Sequence, residues 1–527
     1  MRVLSKVLSV RTSVIALAVA MAVTGRAGLA HAETLADAIT AAYQSNPNIQ
    51  AQRAAMRALD ENYTQARSAY GLQASASYTV SYNRVEEAQS GVSADAAPPS
   101  TTLSLSQPLY SNGRLAARLG GVEAQVRAAR ENLRRIEMDL LVRTAGAYVQ
   151  VRRDREVLRI SEGGAAWLEK QLKDTQDKYS VRQVTLTDVE QAKARFASSR
   201  TQLANAHAQL NVSQAFYASV VGHMPGTLEP EPDVDDLPTS LDTAFDQAEQ
   251  SNPTLQAAVY TEKASRLGVA EARAQRLFSV AARADYRNAS ETPYSAASNR
   301  RLDTLNAGIT LTQPLFSAGQ LNSVVRQSLE ENNRDKLLID DARRNMVLNV
   351  SQSWDQLVAA RRSLVSLEDE MKADTVAFYG VREEERFALR STIEVLNAQA
   401  ELQNAQISFV RGRANEYAGR LQLLAQVGIL EVGNLAPGVQ PYDPTRHFKK
   451  VRYKGMLPTD LVVQAFDRVA VPMAAKKPEP GDTTPIRPPS SELPAAPVSA
   501  DKVAPPQSIN DLPALSDDTP VRTSPKG

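Results

Sequence analysis

"QPLYSNG" occupies residues 107–113 and "QPLFSAG" occupies residues 313–319, so one seven-residue phrase is written twice, 206 positions apart. The same offset carries Ser45-Asn46-Pro47 onto Ser251-Asn252-Pro253, Leu35 onto Leu241, Gln50 onto Gln256 and Tyr148 onto Trp354. It also carries Val189 onto Val395 and Val221-Gly222 onto Val427-Gly428, with no gap between 35–222 and 241–428. A period this long is not that of a small solenoid repeat. It reads as an internal duplication in which each copy is a complete multi-element module. The phrase marks the same joint in both copies.

Upstream of each joint the sequence alternates with a period of two. In "QASASYTVSYN" (73–83) Ala74, Ala76, Tyr78, Val80 and Tyr82 fall on one face, and Ser75, Ser77, Thr79, Ser81 and Asn83 on the other. "TTLSLSQPL" (101–109), "FSVAARADYRN" (278–288) and "NAGITLTQPL" (306–315) complete a set of four strands. Pro108 and Pro314 read as strand ends, because proline has no N–H for the ladder. Gly113 and Gly319 let the chain turn into the next helix.

Downstream, proline is absent between Pro108 and Pro225 and between Pro314 and Pro437, in runs rich in helix-forming residues. Residues 114–179 read as one helix roughly 100 Å long. Leu119, Val122, Val126, Ala129, Leu133, Ile136 and Leu140 step by three and four, as in a coiled-coil seam. Gly146, Gly163 and Gly164 argue against an unbroken helix. A turn near 182–186 leads to a shorter helix over 187–221, and a helix over 35–69 precedes the strands. Each copy is therefore helix, two strands, long helix, shorter helix.

The N-terminus carries Arg2, Lys6 and Arg11, an apolar run over 13–24 and Ala30-His31-Ala32. That is a secretory signal peptide over 1–32, with an apolar core too short to span a bilayer. The organisation that follows is a first repeat (33–224), a linker (225–240), a second repeat (241–436), an irregular equatorial segment (437–475) and a tail (476–527). Residue 437 and beyond hold 17 of the 28 prolines, so the tail is expected to be disordered.

A net charge of +1 gives no reason to expect nucleic acid. The absence of cysteine excludes disulfides, thiol catalysis and a lipid-modified N-terminal cysteine. His207, His223 and His447 have no ligand spacing, and neither a phosphate-binding loop nor a GxSxG motif is present. No metal, cofactor or enzymatic activity is expected. Asp188, Glu385 and Glu394 could form an acid–base set, but solvated or lumen-facing carboxylates explain them better. Trp167 and Trp354 read as core or groove residues. Tyr78, Tyr82, Tyr286 and Tyr294 suit an interfacial girdle or ordinary strand propensity.

The strands have the length and the one-faced apolar pattern of transmembrane β-strands. Four strands cannot close a barrel, and an open edge cannot sit in lipid. Several chains must then share one barrel, and the residues alone leave two or three copies open.

Over residues 33 to about 436 the chain resembles the TolC-type outer-membrane channel proteins of Gram-negative bacteria. The motifs carrying the resemblance are the two SNP triplets, the two joints and the tip sequences "VRQVTLTDV" (181–189) and "FALRSTIEV" (387–395). The family's tip glycine is replaced by Arg182 and Ala388, and the second tip carries Ser391 and Glu394 where the family has Thr and Asp. The resemblance implies an α+β fold, mainly long antiparallel α-helices forming a helical barrel, with four strands given to a shared transmembrane β-barrel. It implies a homotrimer in the cell outer membrane, in contact with outer-membrane lipid, with a tunnel extending into the periplasm. Its function would be the exit duct of a tripartite multidrug efflux pump or a type I protein secretion system. Partners would be a periplasmic adaptor (membrane fusion) protein and an inner-membrane RND or ABC transporter. Adaptor docking would fall to Val181, Arg182, Thr185, Phe387, Ala388 and Ser391. The aperture gate would set Arg390 opposite Thr187 and Asp188, with Glu385 in place of the family's tyrosine and a ring of Glu394 carboxylates. The alternative, a structural periplasmic coiled coil without a pore, leaves the four strands unexplained.

Overall fold

The structure, a computed structural model, describes residues 32–86, 93–96, 99–234, 236–291, 300–387, 389–471 and 487–494. All but the last residue of the leader at 1–32, together with Tyr294 and Ala388, lie outside the described residues. The first half runs α1 (Leu35–Ser45), α2 (Pro47–Ser68), β1 (Gln73–Val80), β2 (Asn83–Glu86), β3 (Ser93–Ala96), β4 (Pro99–Tyr110), α3 (Arg114–Ser180) and α4 (Leu186–Val221). The second runs α5 (Leu241–Ser251), α6 (Pro253–Ala274), β5 (Ser279–Glu291), β6 (Arg300–Thr312), α7 (Gln320–Arg386) and α8 (Thr392–Val427). Three short helices follow: α9 (Val432–Leu435), α10 (Thr445–Val451) and α11 (Pro458–Val469). Corresponding helices of the two halves have equal lengths: 11, 22, 67 and 36 residues.

The helix expected over 35–69 is two helices, α1 and α2, and the same break separates α5 from α6. Asn46 has extended backbone (ψ 121°), and its side-chain oxygen accepts from the Asn48 N–H at 3.0 Å. Asn252 does the same for Thr254 and Leu255. Proline follows each asparagine at the first helical position, where a missing N–H costs nothing. The SNP triplet is thus a helix end and a helix start in one. Each asparagine amide also donates across the module, Asn46 to the Val220 carbonyl and Asn252 to that of Gln426.

The four long strands form one antiparallel sheet in the order β1-β4-β5-β6, with β2 and β3 pairing separately. Pro108 does not end its strand. β4 continues to Tyr110, and a bulge between Pro108 and Tyr110 absorbs the missing donor. β6 ends at Thr312, two residues before Pro314.

At both joints the glycine takes a left-handed conformation, φ 77° at Gly113 and 85° at Gly319. Their surroundings differ. A β-carbon at Gly113 would collide with the Val471 backbone, whereas at Gly319 nothing lies within 4 Å. Gly113→Ala is therefore expected to cost more than Gly319→Ala, which meets only the left-handed penalty of about 1–2 kcal/mol. Parallel thermal denaturation of the two variants checks this order.

α3 is unbroken despite its five glycines, Gly146, Gly163 and Gly164 among them. Gly164 has a role there, since a β-carbon would strike the side chain of Gln403 on α8. α3 packs along α4 of its own half and along α6 of the second, and α7 along α8 and α6, so the helical rods of the two halves are joined through α6. The first half's core (Leu35, Ile39, Tyr148, Tyr217) takes in Leu421 from α8 of the second half, whose own core is built on Phe245, Trp354, Leu357 and Val427. Arg134 on α3 ties the halves by donating to the Ser251 and Gly428 carbonyls.

Two C-terminal expectations need correction. The segment 437–475, read as irregular, contains α10 and α11, which lie on α2, α3 and β4. The Phe448 ring meets that of Tyr63 edge-on at 4.9 Å. Within the tail, residues 487–494 are docked on the second half. Trp354 Nε1 donates to Ser491 Oγ at 2.7 Å, the Leu241 N–H donates to the Ser491 carbonyl, and Arg487 pairs with Asp246 at 2.9 Å. The first half has an equivalent strap. There the Tyr148 hydroxyl, 206 positions before Trp354, donates to the Glu33 and Glu229 carbonyls at 2.8 and 2.7 Å. Low hydrophobicity did not prevent docking, because the groove offers polar partners.

Candidate functional site

Two features stand out as candidate sites: the sheet faces and the helical tips. Register aligns complete rows across the sheet. Ala76, Leu103, Tyr286 and Leu305 form one row, and Ala74, Leu105, Ala284 and Ala307 the next. With Val280, Ile309 and Leu311 they form an apolar face, along which Leu305 and Ile309 are 73% and 72% exposed. The opposite face carries Ser75, Ser104, Asp285 and Asn306 in one row and Ser77, Thr102, Arg287 and Thr304 in another. β1 and β6 are unpaired edges of this sheet. The sheet thus has an apolar strip on one side, small polar and charged groups on the other, and both edges open, the pattern expected of membrane β-strands.

At the far ends of the rods, α3 turns into α4 and α7 into α8. The first tip closes with Arg182 in the left-handed region at φ 60°, the place of the family's glycine. The Arg182 and Gln183 N–H groups donate to the Tyr179 and Lys178 carbonyls, a helix C-cap that arginine adopts at some backbone cost. Thr185 then caps α4. Its hydroxyl donates to the Asp188 carboxylate at 2.7 Å, and the Asp188 N–H donates back to the hydroxyl at 3.3 Å. Thr187 is exposed on the first turn of α4.

At the second tip the Arg390 guanidinium is bonded to Glu384 at 2.8 Å and Glu394 at 3.0 Å. Within this chain Arg390 is thus committed to its own tip and Asp188 to its own cap. The Ser391 hydroxyl, and then Arg390, hold the Glu394 carboxyl below the usual carboxylate range. The contact across the two tips is made by Glu385, which accepts from Lys178 Nζ at 2.6 Å. Arg195 on α4 also donates to Asn397 on α8 at 2.9 Å, and the Trp167 and Phe378 rings stack edge-on at 5.6 Å. Val181, Leu186, Phe387 and Leu389 expose apolar side chains at the tip surface. Sequence reasoning missed Lys178. The available signal was a charge reversal between copies, since the offset sets Lys178 against Glu384.

Among the described residues there is no cluster of side chains able to hold a metal, and no helix is long and apolar enough to cross a membrane.

The fold and the two-faced sheet match one class, that of the outer-membrane channels with long helical rods. The sequence model of the outer membrane efflux protein family matches residues 38–223 and again 244–428, and the chain belongs to that family. It is 29% identical over 432 residues to the outer membrane efflux protein BepC of Brucella suis, covering 82% of this chain and 92% of the relative. It is 23% identical to the outer membrane protein TolC of Escherichia coli, covering 79% and 86%. To the alkaline protease secretion protein AprF of Pseudomonas aeruginosa it is 24% identical, covering 64% and 70%. Its fold is similar to the Campylobacter jejuni CmeC outer membrane channel, with a TM-score of 0.68, 13% identity and coverage of 79% of this chain and 89% of that one. This chain is accordingly an outer-membrane transport duct and not an enzyme.

Proposed function

We propose that three copies assemble into one channel-tunnel, the exit duct of a tripartite efflux pump or a type I secretion system, with the leader at 1–32 removed on export. The observation that carries this reading is the sheet, whose apolar face and two open edges can enter lipid only in a closed barrel. The family supports the trimer, and the names of the relatives cover both efflux and protease secretion. Light scattering of the detergent-solubilised protein should give the mass of three chains. A monomer that conducts ions would refute it.

The tips face the periplasm, where the exposed Val181, Leu186, Phe387 and Leu389 suit docking of an adaptor helix pair. Arg182, Thr185 and Ser391 shape that surface. The aperture opens when the second hairpin parts from the first. Lys178–Glu385 is the tie across them, and Arg390 holds Glu384 and Glu394 in a tight turn. A tyrosine at 385 would break the Lys178 tie, so Glu385→Tyr is expected to open the tunnel.

Lys178→Ala and Arg390→Ala are each expected to raise single-channel conductance in planar bilayers, with the double variant highest. Conductance unchanged in both would remove the latch from these residues. The pH dependence follows from Glu394. A carboxyl lowered on folding supports the tip above the ordinary glutamate range and loses that support as pH falls through its lowered value. Arg390-dependent closure should therefore hold from pH 8 to 5 and fail only once the pH falls below the ordinary glutamate range.

A further inference from the structure

The polar face of the sheet is not uniform. Its full rows hold Gln73, Ser106, Arg283 and Gly308; then Ser75, Ser104, Asp285 and Asn306; then Ser77, Thr102, Arg287 and Thr304. All the charge in these three rows comes from β5. β1, β4 and β6 contribute only small neutral groups there. Arg283 and Arg287 are exposed and Asp285 half-exposed. On a strand these three side chains point the same way, roughly 7 Å apart.

We propose that this ladder is a cationic girdle inside the barrel that binds and favours anionic solutes bearing phosphate or carboxylate groups. The inference rests on the trimeric-channel reading, in which the polar face lines the lumen. Two guanidiniums and one carboxylate give each copy a net charge of +1 at this level, hence +3 for three copies. A twelve-stranded barrel with strands about 4.8 Å apart and tilted by about 40° has a backbone diameter of roughly 24 Å. An arginine reaching roughly 6 Å inward brings its charge to about 6 Å from the axis, inside the Debye length of about 8 Å at physiological ionic strength. A solute on the axis then feels every guanidinium, and the planar fork of arginine suits bidentate contact with phosphate or carboxylate. Asp285, in the middle of the ladder, limits the affinity, as a conduit requires, since a site that binds too tightly does not release.

The test uses the full-length protein in planar bilayers. Tripolyphosphate added from the barrel side should block wild-type current in a voltage-dependent way. In Arg283→Gln/Arg287→Gln the block should be lost, and under a potassium chloride gradient the cation-to-anion permeability ratio should rise about sevenfold, because roughly one kT of potential acts in opposite senses on cation and anion. Asp285→Asn should shift that ratio the other way. An unblocked wild type, or undiminished block in the double variant, overturns the girdle. Absence of any conducting trimer from the wild-type chain overturns the channel reading instead.

Discussion

Glu416→Ala is expected to destabilise the second rod by about 3–5 kcal/mol, the usual cost of stripping one partner from a buried ion pair. Glu416 Oε1 sits between two guanidiniums, accepting from Arg361 Nε at 3.0 Å and Arg420 Nε at 2.7 Å. The side chains of Arg361 and Glu416 are only 6% and 5% exposed. Without the carboxylate, two positive charges face each other across the α7–α8 interface with little water to screen them. Arg361 also donates to the Pro494 carbonyl, so the docked tail segment should loosen as well. The comparison that separates charge from volume is Arg361→Met/Glu416→Met/Arg420→Met, expected to recover most of the loss because apolar groups of similar size need no partner. Thermal denaturation followed by circular dichroism gives the stabilities, and limited proteolysis reports the tail. If Glu416→Ala melts like wild type, the triad contributes no net stability.

Asp467→Ala is the second large effect, and its consequence is at the first joint. The carboxylate of α11 is fully buried and accepts from the Ser111 N–H at 3.0 Å, the Gly113 N–H at 2.9 Å and the Ala116 N–H at 3.2 Å. The Ser111 hydroxyl donates at 2.8 Å, and the Tyr70 hydroxyl at 3.3 Å. It thus caps α3 from a residue more than 350 positions away, doing for a long helix what its own N-cap, Gly113, cannot. Removing it leaves several buried donors without an acceptor, at about 1–3 kcal/mol each before relaxation. We expect Asp467→Ala to lower the yield of heat-stable assembled protein in outer membranes several-fold. Asp467→Asn, which keeps one oxygen, should fall between. Equal yields in all three would mean that the joint is held by packing alone. The corresponding joint of the second half has no such cap among the described residues, and its Leu315 and Phe316 are 92% and 90% exposed. It lies beyond the open β6 edge, the side that a neighbouring copy covers in the proposed trimer.

What was legible in the chain was what depends on local periodicity. The four strands, the long helices, the joints and the tip turns follow from alternation, proline spacing and the 206-residue offset. Those signals act over a few residues or repeat outright. Arg182 shows the limit of motif matching. The family's glycine is absent, yet the turn forms, because one left-handed arginine costs less than the helix ends on either side return. Tertiary structure alone decided the contacts between distant segments. Residue 467 gives no local sign that it will cap a helix starting at 114, and the charge reversal at Lys178 marks the position without naming Glu385 as its partner. The fragment 487–494 reads as tail by composition, but Trp354 and Arg361 hold it through polar bonds that hydrophobicity does not register. The charged ladder on β5 belongs to both levels. Alternation puts Arg283, Asp285 and Arg287 on one face, and only the register with β4 and β6 shows that their neighbours in the row are neutral.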